Sequence, residues 1–109
     1  MYDPQNVRKL KVLGSHAPAA WEAFKAFDAA VFAEGALSVK FKELIAVAVA
    51  QSTQCVYCID IHNKKARKAG ATDAEVAEAI FVAAALKAGG AVVHGTHCFD
   101  ERSPAANAS

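Results

Sequence analysis

The 85 residues from Ala19 to Ser103 contain no proline, while Pro4 and Pro18 precede them, Pro104 follows, and alanine occurs 26 times in the 109-residue chain. Proline breaks helix interiors and alanine is the best helix former, so this stretch predicts an all-α domain. Gly35, Gly70 and the pair Gly89-Gly90 each follow a periodic segment, where a left-handed C-terminal cap favours glycine. Five helices follow from this punctuation. The first runs from about Ala19 to Glu34 with Trp21, Phe24, Phe27 and Val31 along one face, as a core stripe would. The second runs from Val39, after the N-cap Ser38, to about Ser52, and the third from Cys55 to Ala69. The fourth opens on the capping box Thr72-Asp73-Ala74-Glu75 and ends near Ala88, and a fifth, or a kinked continuation, covers Ala91 to Arg102. The expected organisation is an N-terminal arm (1–17), a single helical domain (18–103) and a C-terminal tail (104–109).

At this length the chain holds one modest core and no second domain. Charged residues make up 21% and the formal charge is +1, which argues against disorder and against a nucleic-acid-binding polycation. Lys64, Lys65, Arg67 and Lys68 cluster at the negative end of the third helix and read as a solvated, dipole-matched face. No apolar export core occurs among the first twenty residues, and no unbroken apolar run reaches the length of a bilayer crossing, so a cytoplasmic protein is expected.

Two segments are apolar on every side: LIAVAVA from Leu44 to Ala50 and AIFVAAAL from Ala79 to Leu86. Such helices must be covered all round, and a chain this short has few elements with which to do so. A homo-oligomer whose contacts cover them is the expectation.

The chemistry concentrates at Cys55-Val56-Tyr57-Cys58. Cytosolic thiols are kept reduced, so this C-x-x-C pair points to redox or metal chemistry rather than to a structural disulfide. A c-type haem site needs histidine where Ile59 stands, a thioredoxin fold needs flanking strands, and a closed zinc site needs ligands that a second C-x-x-C would supply. His62 follows Cys58 by one helical turn, near enough for a direct or water-bridged hydrogen bond to the thiol. If the second and third helices form a hairpin turning near Ser52 and Thr53, Glu43 lies level with His62 and can orient it. At about 100° per residue, Val39, Ala46, Val47 and Ala50 fall within about 60° of Glu43, which puts the carboxylate in an apolar stripe. The plainer alternative for Glu43 is a salt bridge to Lys40.

The pattern Glu43-x11-Cys55-x2-Cys58-x3-His62, with Pro18-x5-Phe24 and Leu37-Ser38 before it and Gly70 after it, resembles the alkylhydroperoxidase D-like branch of the carboxymuconolactone decarboxylase family. The resemblance covers roughly residues 18–95. It implies an all-α subunit of antiparallel helical hairpins in a trimer or hexamer, without a bound cofactor. It further implies that Cys58 is the peroxidatic nucleophile, that Cys55 resolves its sulfenic acid into a disulfide, and that His62 and Glu43 relay protons. The substrate would be a hydroperoxide or a disulfide, and an external dithiol, protein or lipoyl in type, would reopen the pair. Tyr57 stands where the archetypal enzyme has a second histidine; a phenol donates a hydrogen bond but is a poor base at neutral pH.

His94, His97 and Cys98 recur at helical spacing and form a second cluster, able to bind a metal or to lend a thiol if they share a helix face. The alternatives to a peroxidase are a decarboxylase of the wider family, a metal-binding or redox-sensing module using these residues or the C-x-x-C pair, and an oligomeric scaffold with idle cysteines.

Overall fold

In the computed structural model, which describes residues 2–105, the element order is helical throughout. A 3-10 segment, Pro4–Lys9, leads into α1 (Leu10–His16), α2 (Pro18–Phe32), α3 (Val39–Thr53), α4 (Val56–Lys68) and α5 (Asp73–His94), and a short 3-10 turn, Gly95–Cys98, follows. The all-α class and its hairpin architecture are thus as the sequence implied.

Local chemistry sets the boundaries. Ser38 caps α3 by accepting from the Phe41 amide at 3.2 Å, as an N-cap hydroxyl satisfies an orphan donor. Thr72 and Glu75 form a reciprocal capping box at the start of α5. Gly70 ends the α4 segment at φ +98°, a conformation in which a Cβ would be strained. Gln54, not a glycine, supplies the left-handed cap of α3 at φ 57°.

The core lies where α3 packs on α4 and α5. Leu44, Val47, Ala66, Ala71 and Val76 form it, with Ala79 against its edge. Ala66 is fully buried, and so small a residue lets the α3 and α4 backbones approach closely. Lys40 reaches Glu75 at 2.8 Å and ties the start of α3 to the start of α5. That contact, followed by the Thr72 amide, holds the Glu75 carboxyl below its ordinary value. It also removes the Lys40–Glu43 pair that was the plainer alternative for Glu43.

Four sequence expectations are corrected. First, Gly89-Gly90 does not stop a helix: α5 runs through both, neither takes the left-handed φ of a C-terminal cap, and glycine's cost is weak beside the helix-forming Leu86, Lys87, Ala88 and Ala91 around them. No separate helix covers Ala91 to Arg102. Second, residues 4–16 of the N-terminal arm are helical; of the tail 104–109, residues 106–109 lie outside the described residues. Third, α2 buries no residue: Phe27 is 67% exposed, and Phe24 and Val31 are exposed as well. The helical stripe is real; among the described residues Trp21 packs against Gly14, while Phe24, Phe27 and Val31 stay exposed. Fourth, Asp73–Cys98 contains an 18-residue window of mean hydropathy 1.8, so by length and composition this helix can cross a membrane. The sequence rule asked for an unbroken apolar run; here alanines and valines carry the average across scattered polar residues.

The radius of gyration is 19.2 Å, whereas a compact chain of this length has about 13 Å. The surface totals 8386 Å², against roughly 5,800 Å² for a folded monomer of this mass. Much of the excess is apolar: Phe81, Val82, Leu86, Val92 and Val93 of α5 are all exposed.

Candidate functional site

The turn between α3 and α4 builds the site. Gln54 reverses the chain in one residue, and the Cys55 amide donates back to the Ala50 carbonyl at 3.2 Å. Cys55 thereby becomes the N-cap of α4, its Sγ accepting from the Cys58 amide at 3.2 Å. Cys55 and Cys58 are joined as a disulfide. Both sulfurs sit on the first turn of α4, at the positive end of the helix dipole, where a thiolate released on reduction is stabilised.

One turn further along α4, His62 Nδ1 lies 2.6 Å from Glu43 Oε2. The short reversal at Gln54 gives the antiparallel α3–α4 register in which residues 43 and 62 are level. Glu43 is 3% exposed, the one charged residue of the described chain that is buried. A buried carboxylate needs a partner, and His62 is that partner. With Glu43 ionised, Nδ1 carries the proton and donates it, so Nε2 presents a lone pair. Phe32, at the end of α2, stacks on the imidazole with ring centroids 5.0 Å apart and fixes its plane. Among the described residues the imidazole's hydrogen bond is to Glu43; the expected bond to Cys58 is not made while that sulfur is bonded to Cys55.

Cys58 and His62 together line two cavities. One, of about 460 Å³, is walled by the apolar side chains Val31, Leu37, Ile45 and Val49. Lys42 borders it, but its ammonium is committed to the Val31 and Ala33 carbonyls, at 2.8 and 2.6 Å, and closes the C-terminal end of α2. The other cavity, of about 670 Å³, lies between α4, α2 and the N-terminal segment, with Trp21 and Ile61 in its walls.

Tyr57 also lines the second cavity, and its hydroxyl is engaged by the N-terminal segment. Its hydroxyl accepts from the Asp3 amide at 3.1 Å and from Asn6 Nδ2 at 3.0 Å, and its ring meets Tyr2 at 4.8 Å. In place of an acid-base group, this position supplies an anchor for the N-terminal segment.

The second cluster does not converge. α5 ends at His94 and the chain tightens into a 3-10 turn, in which residues three apart eclipse. His94 and His97 accordingly meet ring to ring at 4.9 Å, and Cys98 is exposed and free. No group of three His, Cys, Asp or Glu side chains among the described residues is placed to hold a metal ion. In the basic cluster, Lys64 pairs with Asp60 and Arg67 with Asp73, which accounts for half of its charge locally.

Sequence reasoning missed Phe32, Lys42 and the arm residues that hold Tyr57. Phe32 and Lys42 act through the crossing of α2 over α3, and no local pattern encodes a crossing.

The fold and the site together define a small all-α protein whose helical hairpin carries a cysteine pair at one helix start, backed by a buried Glu–His pair. The chain belongs to the carboxymuconolactone decarboxylase family, whose model matches residues 18–101. The alkylhydroperoxidase D-like pattern of its residues is consistent with that membership. It is 53% identical over 73 residues to an uncharacterised protein of the cox locus of Paracoccus denitrificans, covering 67% of this chain and 66% of that protein. It is 36% identical over 75 residues to an uncharacterised protein of Cupriavidus necator, covering 69% and 66%. The chain therefore spans about two thirds of the length of these curated relatives. Among solved structures it is similar to an apo carboxymuconolactone decarboxylase family protein from Legionella pneumophila, with a TM-score of 0.70, 32% identity and 73% and 71% of the two chains covered. It is also similar to a protein from Methanobacterium thermoautotrophicum, with a TM-score of 0.75, 38% identity and 79% and 97% covered.

Proposed function

We propose that the protein is a cysteine-dependent peroxidase and disulfide oxidoreductase that reduces hydroperoxides through Cys58 and Cys55. The observation that carries this reading is the joining of the two sulfurs at the start of α4, one turn from a histidine held by a buried glutamate. In the reduced protein His62 takes the Cys58 proton, and the thiolate attacks the O–O bond of a hydroperoxide. The bond breaks to give the Cys58 sulfenic acid and an alkoxide, which takes its proton back from His62 and leaves as the alcohol. The Cys55 thiol then attacks the sulfenic sulfur, forming the disulfide and releasing water. An external dithiol, of protein or lipoyl type, exchanges with the disulfide, restoring both thiols and leaving as its own disulfide. No bound cofactor enters these steps. The apolar cavity beside Cys58 suits an alkyl rather than a charged hydroperoxide.

The working form is a homo-oligomer, trimer or hexamer, in the cytoplasm. The support for it is the exposed apolar surface of α2 and α5, which water does not tolerate uncovered on this scale. Decarboxylation, after which the family is named, is the second reading. It gives the cysteine pair no task.

The test is consumption of an alkyl hydroperoxide by the reduced protein, followed by stopped-flow detection of sulfenate and disulfide. Consumption by wild type, loss in Cys58→Ser and accumulation of sulfenate in Cys55→Ser are expected. Free thiols in a wild type inert to peroxide would remove the peroxidase reading.

A further inference from the structure

The N-terminal segment is fastened to the redox turn itself. Tyr57 lies inside the four-residue loop that the Cys55–Cys58 disulfide closes, and its hydroxyl accepts both the Asp3 amide and Asn6 Nδ2. At its other end, Gly14 packs on the indole of Trp21 so tightly that a Cβ there would overlap the ring. Between these two points Asn6, Val7 and Leu10 line the 670 Å³ cavity that Tyr57, Cys58 and His62 also line. Little else holds the segment. Within Pro4–His16 only Gly14 is buried, so its docking rests on the Tyr57 and Trp21 contacts and belongs to the low-stability end of the molecule.

We propose that this segment is a redox-linked strap, docked while Cys55 and Cys58 are bonded and released when they are reduced. The docked form is the one that accompanies the closed disulfide. Reduction forces the two sulfurs from bonding distance to non-bonded contact, so the Cys58 side chain moves toward the cavity it lines or the turn opens. Opening of the turn shifts Tyr57 relative to the strap it holds, and movement of the Cys58 side chain into the cavity displaces the strap residues Asn6, Val7 and Leu10 that line it. The shift is amplified because Tyr57, itself only half-buried, is the strap's hydrogen-bonded hold on α4. Release uncovers one side of Cys58 in the thiol state, which is the state that must receive an oxidant. The coupling is reciprocal: a strap that docks better on the disulfide makes the disulfide harder to reduce by the same factor. The inference needs only a reversible pair and holds whatever the physiological oxidant is.

The experiment uses the full chain in dithiothreitol redox buffers without peroxide, where each disulfide reduced converts one dithiothreitol to its cyclic disulfide. Trypsin cleavage at Arg8, Lys9 and Lys11 reports the strap, and the emission of Trp21, the one tryptophan, reports its docking. Cleavage about tenfold faster in the reduced protein is expected, with a shift in Trp21 emission. Tyr57→Phe and Asn6→Ala, the latter on the strap side of the contact, should cleave fast in both states. Their disulfides should be easier to reduce by up to the same factor, about 30 mV for tenfold in this two-electron couple. A purely structural role for Tyr57 would not move that potential. Equal cleavage and equal emission in the two redox states, or wild-type potentials in both variants, would overturn the proposal. Because no peroxide is present, its failure is separable from failure of the peroxidase reading.

Discussion

Glu43 on α3 and His62 on α4 meet through a 2.6 Å Oε2–Nδ1 contact, and Glu43 lies among the buried residues Leu44, Val47 and Ala50 of its own helix. A carboxylate in that position orients the imidazole, and on the proposed mechanism it would offset the charge that His62 gains on taking the Cys58 proton. Glu43→Gln keeps the shape and loses that charge. Peroxide turnover should fall about 10²- to 10⁴-fold, the usual size of a general-base contribution, while the melting transition stays cooperative. His62→Ala should fall as far, and the double variant should fall little further, because the two side chains act as one unit. Additive losses would separate their roles.

The His94, His97 and Cys98 group stands apart from this pair. Oxidised protein should label with maleimide at Cys98 alone, and reduced protein at Cys55, Cys58 and Cys98. Cys98→Ser, His94→Ala and His97→Ala should each leave the rate of disulfide formation unchanged. A loss of turnover in Cys98→Ser would bring that thiol into the cycle.

Phe81 is 74% exposed on α5, beside Val82 and Leu86. Light scattering after gel filtration should give a wild-type mass several times that of the 11.4 kDa chain. Phe81→Glu places a charge where another copy is expected to pack, and should shift the mass toward the monomer and lower the melting temperature. An unshifted oligomer with Phe81→Glu would place the contact on another face. Partition of wild type into the membrane fraction would favour the bilayer-crossing reading of α5.

Thr72 and Glu75 cap α5. Thr72→Ala should cost about 1 kcal/mol in denaturant unfolding, as lost N-caps do. Glu75 supplies a pH signature with a definite sign. Its carboxyl is held below the ordinary value of 4.5, mainly by Lys40 and then by the Thr72 amide. The stabilisation is therefore present above pH 4.5 and lost as the pH falls through the lower folded value. Wild type should melt above Glu75→Gln at neutral pH, and the gap should close as the pH drops below 4.5. A gap that persists in acid would mean that Glu75 acts through packing rather than through its charge.

How far the sequence reaches can be read from particular residues. Ser38, Thr72 with Glu75, and Gly70 mark real boundaries because a cap is a contact among residues three or four apart, written within one short window. Gly89-Gly90 misled because glycine's propensity is only a weak local cost, and neither residue adopts the left-handed φ that would end the helix. The stripe Trp21, Phe24, Phe27 and Val31 signalled an amphipathic helix but not what covers it. The His94–Cys98 spacing held its implied face only if the α-helix continued, and it ends at His94.

By itself the sequence determined the helical class, the hairpin register that sets Glu43 level with His62, and the place of the cysteine pair at a helix start. Each of these follows from spacing along one helix or one short turn. Only the tertiary structure decided that Phe32 stacks on the imidazole, that Lys40 goes to Glu75 rather than to Glu43, and that Tyr57 holds the N-terminal strap. Those contacts join residues 30 or more positions apart, where the crossing of helices, and not the order of residues, sets the distance.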